Sequence, residues 1–250
     1  MENQQTLLVK QSLMNNKIPN HVRVAVALTL INLVILAIRN LVVGDSYFNF
    51  LLSNLFIGSF PVLLIAFLID RYYEKLNAFW FWAATSLWVL FYPNAPYMIS
   101  DLIHNTSDPR DIVNPELIKF DTLIIFSIAM LSVFYGLLSL KIMFVVFKNR
   151  YGNKFAHAAI FFTVAISCLG FYMGRELISA IKIGNGYLYS WEIFLEPVQI
   201  IEIVWNALWP IGEHLSAYAM MALFGIVQYM LLVMFKDISD IEGARMVTKE

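Results

Sequence analysis

The chain has a single cysteine, Cys168, so no internal disulfide framework can brace it. It is equally short of charge. Only 14% of its 250 residues are Asp, Glu, Lys or Arg, where soluble domains carry about 25%. Together with 60% hydrophobic residues, that shortage excludes an ordinary soluble domain and leaves an integral membrane protein with the bilayer as its solvent. The net charge of −1 lacks the basic excess with which nucleic-acid-binding chains engage phosphates, so no nucleic-acid partner is expected. There is no HExxH zinc motif and no internal repeat of the kind that builds many transporters from two halves. A cleaved signal peptide is also not expected. The polar stretch 1–20 leads into a long apolar run followed by Arg39, so the first helix should stay as an anchor.

What the sequence has is long apolar runs. A helix needs roughly 20 predominantly apolar residues to cross a bilayer, and six stretches qualify: Val22–Val43, Tyr47–Ile69, Ala78–Ser100, Phe120–Phe147, Phe155–Ile181 and His214–Phe235. The fourth is long enough to tilt or project. Lys and Arg then set the orientation, because cytoplasmic loops collect them. One side gathers Lys10, Lys17, Arg23, Arg71, Lys75, Lys148, Arg150, Lys154, Lys236, Arg245 and Lys249. The other has only Arg39, Arg110, Lys119, Arg175 and Lys182, so both termini are expected inside. This divides the chain into a cytoplasmic tail 1–21, a bundle 22–236 and a cytoplasmic tail 237–250. The stretch Trp191–Trp209 is apolar enough to resemble a seventh span. Spanning there would put the C-terminal basic residues outside, and Glu192, Glu196, Gln199 and Asn206 recur at helical spacing. It reads instead as an outer-face amphipathic helix bent at Pro197, its polar side toward water or the site. The expected fold is an all-α, multi-pass protein of the cell membrane.

The third span is broken. Pro93 and Pro96 each remove a backbone N–H and disfavour helical geometry in the residue before them. Apolar sequence resumes at once and delivers Asp101 and His104, three apart and on one helix face. Broken backbone at membrane depth is tolerated only where protein or a water-filled cavity satisfies it, and ionisable groups beside it suggest a site. Depth arithmetic, at about 1.5 Å per residue, brings Arg175 to the same boundary, roughly 30 Å beyond Phe155. Glu176 follows it, Asp121 opens the fourth span, and Arg39 and Asn40 close the first.

Plainer readings exist for each of these. Arg39 and Lys182 suit snorkelling anchors at the interface, and Asp121 suits a helix N-terminal turn, where a carboxylate favours the dipole. Asp101 and Arg175 could simply lock two spans together, but each stands beside a second ionisable group, His104 and Glu176. Asp101, His104 and Glu176 could in principle share a metal, yet their oxygen and imidazole donors specify none. No metal or cofactor is assigned. Cys168, about 20 Å from Phe155, lies near mid-bilayer and reads as a small core hydrophobe. Gly170 and Gly174 read as a close helix-packing surface, and Phe79-Trp-Phe-Trp82 as an aromatic interface belt.

Three stretches together resemble a known family of bacterial membrane proteins, domain of unknown function family 1361. They are Trp88-Val-Leu-Phe-Tyr-Pro-Asn-Ala-Pro-Tyr-Met-Ile-Ser-Asp-Leu-Ile-His104, then Phe120-Asp121, then Gly170-Phe-Tyr-Met-Gly-Arg175 followed by Ser190-Trp191. The resemblance covers spans three to five and the outer loop, and points to Pro93, Asn94, Pro96, Tyr97, Asp101, His104, Asp121, Gly174, Arg175 and Trp191. It supplies no reaction. This chain places Ile181–Tyr189 between the arginine and tryptophan motifs, a longer separation than the family pattern suggests.

The leading expectation is a membrane-embedded cell-envelope enzyme acting on a lipid-linked or anionic extracytoplasmic substrate. His104 would be general acid or base, oriented by Asp101. Arg175 would clamp an anionic group, with Glu176, Asp121, Asn94, Tyr97 and Trp191 lining the substrate site. Besides the bilayer, the expected partner is thus a lipid or a small anion. A solute- or ion-binding or transport protein is the second reading, weakened by the few ionisable groups at mid-depth in spans one, two and six. A structural subunit of an envelope complex is the third.

Overall fold

The computed structural model describes residues 20–44, 47–73, 77–106, 115–174, 182–183, 186–187, 197–209 and 214–247. These form helices α1 (Asn20–Val43), α2 (Phe50–Tyr73), α3 (Ala78–Phe91), α4 (Asn94–Tyr97), α5 (Pro115–Tyr151), α6 (Asn153–Tyr172), α7 (Pro197–Leu208) and α8 (Leu215–Val247). Two 3₁₀ segments, Tyr47–Asn49 and Met98–Thr106, complete the helical part. Strands β1 (Lys182–Ile183) and β2 (Gly186–Tyr187) pair antiparallel, Lys182 opposite Tyr187, within the stretch that separates the arginine and tryptophan motifs. Apart from this hairpin the described fold is helical.

Helix occupies most of the described part of each of the six expected stretches; 175–181, the end of the fifth, lie outside the described residues. Four are long and apolar enough to cross a bilayer: Val26–Val43, Leu117–Tyr151, Asn153–Tyr172 and Leu215–Met234. The apolar part of α2, Phe50–Ile65, is shorter, and α3 has 14 residues, about 21 Å, before its break. Large apolar side chains such as Leu123, Phe161, Phe162 and Leu223 stand exposed along these helices. Surfaces of that kind suit lipid, which covers apolar groups without the penalty that water imposes.

The chain forms two compact units, 1–52 and 53–250. In the first, Gly44 ends α1 in the left-handed region (φ 76°), its N–H reaching the carbonyl of Asn40, 3.0 Å away. The chain then turns through Tyr47–Asn49, and Asn40 donates its amide to Asn49 Oδ1 at 2.7 Å. Arg39 lies with its guanidinium 4.7 Å from the centre of the Phe48 ring and is only 1% exposed. It is therefore not the snorkelling anchor expected of it, because the return of the chain after Gly44 lays Phe48 against it.

The second unit is organised around α5, in which 61% of the spanning window is buried, against 17% for α8. Its 37 residues extend about 55 Å, well beyond a hydrocarbon core of about 30 Å. Trp88 and Tyr92 of the broken span pack in one core with Leu140, Met143, Ile160 and Val164. Gly152 (φ 88°) makes the tight α5–α6 hairpin. It donates to the Lys148 carbonyl and accepts from Ala156, closing one helix and opening the next.

Candidate functional site

The two prolines change the hydrogen bonding of the third span without unwinding it. Pro96 has no N–H, so the Tyr92 carbonyl has no partner four residues on. It takes the Ala95 N–H instead, at 3.1 Å. That leaves the Phe91 carbonyl without an amide, and the Asn94 side chain supplies one at 3.0 Å. Regular spacing returns where Tyr97 N–H reaches the Pro93 carbonyl, 3.1 Å away. Tyr92 (φ −53°, ψ −40°) stays in the right-handed helical region although it precedes a proline. The expected local preference is thus overridden, and tertiary packing accounts for it. A Cβ on Gly170 of α6 would lie 2.8 Å from Pro93 Cβ, and one on Gly136 of α5 would lie 3.1 Å from Ala95 Cβ. The break is held between two helices that can approach only because each carries glycine there.

Beyond the break the chain tightens into the 3₁₀ segment Met98–Thr106, which carries Asp101 and His104. With three residues per turn, positions 101 and 104 stand one above the other. Asp101 is 2% exposed, and its Oδ2 accepts the Asn54 amide of α2 at 2.8 Å. One turn further along α2, Gly58 meets the Ser132 hydroxyl of α5, next to Met98. Asn54, absent from the sequence-based set, is therefore a partner that holds Asp101. An isolated asparagine within an apolar helix was the signal for it.

Asp121 is fully buried. Its helix starts at Pro115, five residues before the expected boundary, so Asp121 sits in the second turn and not at the head. The dipole explanation weakens accordingly, since that effect fades within the first turn. Tyr97, half-buried, donates its hydroxyl to the Gly174 carbonyl at 3.2 Å, tying the broken segment to the residue before Arg175. Asp101, Tyr97 and Gly174 thus lie at the same end of the second unit. Of the other expected site residues, Arg175, Glu176 and Trp191 lie outside the described residues, as does the His104 side chain. Arg39 belongs to the first unit.

A second polar cluster lies deeper. Tyr92 and Ser167 both donate to Gln228 Oε1, at 2.9 and 3.3 Å, and Gln228 Nε2 stands 4.0 Å from Cys168 Sγ. Trp88 Nε1 donates to Ser139 Oγ at 3.3 Å, and that hydroxyl donates to the Gly136 carbonyl at 2.8 Å. These neutral groups join α3, α5, α6 and α8, and such bonds act as glue between helices in lipid. Cys168 is a buried member of this packing, against Gly225. Among the described residues, no three His, Cys, Asp or Glu side chains are grouped as metal ligands would be.

Of the stretch Trp191–Trp209, residues 191–196 lie outside the described residues; from Pro197, a residue suited to a first helical position because its missing N–H costs nothing there, the chain is helical as α7. The 12 described residues of α7, about 18 Å, fall short of the roughly 20 that a crossing needs.

No curated protein and no solved structure matches the chain. A family model described as Protein of unknown function (DUF1361) matches residues 53–231, which begin where the second compact unit begins and contain the whole of the broken helix and its partners. The chain belongs to that family.

Proposed function

We propose that this is a six-span protein of the cell membrane, both termini cytoplasmic, whose polar end opens outward. There it works as an enzyme on a lipid-linked or anionic extracytoplasmic substrate. The observation carrying this reading is Asp101, a carboxylate taken out of water at the end of a broken helix, hydrogen-bonded to Asn54 and one 3₁₀ turn before His104. Burying a carboxylate is costly unless partners compensate it. A carboxylate so held can orient an imidazole one turn away and set its tautomer, the usual relation between a general base and its positioning group. Asn94 and Tyr97 act as positioning residues, because their polar groups hold the Phe91 and Gly174 carbonyls. Arg175, directly after Gly174, would bind the anionic group.

Variants expressed in a strain lacking the gene test this reading. Asp101→Asn keeps an acceptor for Asn54 and removes the charge; His104→Ala removes the acid–base group. Both should leave a folded protein with a cooperative thermal transition, yet fail to restore the deletion phenotype. Full rescue by both, or failure of rescue explained by loss of folded protein, would remove the catalytic reading in favour of a structural one.

A further inference from the structure

We propose that α7 is an interfacial helix, seated along its Val198–Ile201–Trp205 stripe in the headgroup–acyl boundary of a neutral lipid surface. Those three side chains are 68%, 67% and 62% exposed, and they recur at the spacing that puts them on one face. Trp209, just beyond the helix, continues the stripe and stacks on Trp205, ring centres 5.7 Å apart at 25°. Glu202 and Asn206 occupy the adjoining flank, also exposed.

Depth comes from the next helix. The Tyr218 hydroxyl donates to the Leu208 carbonyl at 2.7 Å, fixing the end of α7 against the first turn of α8. The spanning stretch of α8 starts at Leu215, itself exposed, so the pinned end of α7 lies at the level where apolar crossing begins. Tryptophan is enriched at that level, where its apolar ring and polar N–H are both accommodated. The end is the polar one: Phe171 of α6 meets Phe224 (4.2 Å between ring centres), and Cys168 meets Gly225, so α8 starts at the same end of the bundle as Gly174.

Charge selects the lipid. From Ile183 to Phe235 there is no Lys or Arg, while Glu192, Glu196, Glu202 and Glu213 are all present. Surface helices that seek anionic lipid carry basic residues on the polar face. This one carries none, so zwitterionic headgroups suit it. The inference stands on α7 and α8 and does not depend on any catalytic role for Asp101.

Spin labels at Ile201→Cys and Asn206→Cys, about 140° apart around the helix, test it in a Cys168→Ala background. Both native positions are exposed, so neither variant disturbs packing. In phosphatidylcholine vesicles, the label at 201 should relax several-fold more with oxygen than with a water-soluble nickel chelate, and the label at 206 should show the reverse. Nickel access at both positions would mean a helix in water, and exclusion of both reagents at 201 would mean a protein cover, for example a second copy. Either result overturns the proposal. Deeper immersion of 201 when phosphatidylglycerol is added would overturn the assignment to neutral lipid.

Discussion

The two ends of the second unit are built by different means. At one end Phe81, Trp82, Phe147, Tyr151 and Phe155 meet edge to face, tilted or stacked around the Gly152 hairpin. Arg150 lays its guanidinium 4.3 Å from the Phe81 ring centre. At the other end a proline-broken helix is wedged between glycines, and two carboxylates, Asp101 and Asp121, are out of water. Aromatic contacts tolerate small displacements and keep the cation partly exposed. The polar end depends on close backbone approach and on directional hydrogen bonds such as that from Asn54 to Asp101. One end therefore secures the bundle, while the other holds groups in positions that a bundle alone would not require.

Three substitutions sharpen that contrast. The largest effect should follow Gly170→Leu, whose side chain would enter the space of Pro93. Overpacking there should cost about 3 kcal/mol and displace the break, read as a fall in melting temperature of the detergent-solubilised protein. A melting temperature equal to that of the unaltered chain would show that α6 and the break do not pack as described. Next comes Asn94→Ala, which strands the Phe91 carbonyl. A loss of about 1–2 kcal/mol is expected, with faster amide exchange at Ala95 and Tyr97, and Asn94→Asp should not restore it because a carboxylate cannot donate. The smallest effect belongs to the aromatic end. Arg150→Gln removes the cation–π contacts with Phe81 and Tyr151 and should cost about 1 kcal/mol, with no change in rescue of a deletion phenotype. An Arg150→Gln loss larger than that of Gly170→Leu would invert the comparison.

Much of this was legible from residue order. Composition alone identifies a membrane protein, and runs of apolar residues locate the helices, because in lipid the backbone must satisfy itself within each segment. The Pro-Asn-Ala-Pro stretch announces a break, and Asp101 announces a charge beside it. The nature of the break was not legible. The rule that a residue before proline avoids helical geometry is local, and at Tyr92 it loses to packing against α5 and α6. The burial of Arg39 was not legible for a related reason: whether an arginine reaches outward or is covered depends on where a later residue, Phe48, is brought by the turn.

By itself, then, the sequence determined the solvent, the helices and the residues worth suspecting, since hydropathy, period and proline chemistry act over a few turns. Only the tertiary structure decided that Asn54 holds Asp101, 47 residues away, that Gln228 closes a cluster with Tyr92 and Ser167, and that Asp121 is fully buried. A neutral amide in an apolar run looks the same whether it faces lipid, its own helix or a distant carboxylate. Its partner is chosen by which helices pack side by side, and that depends on the close fit of glycine against proline.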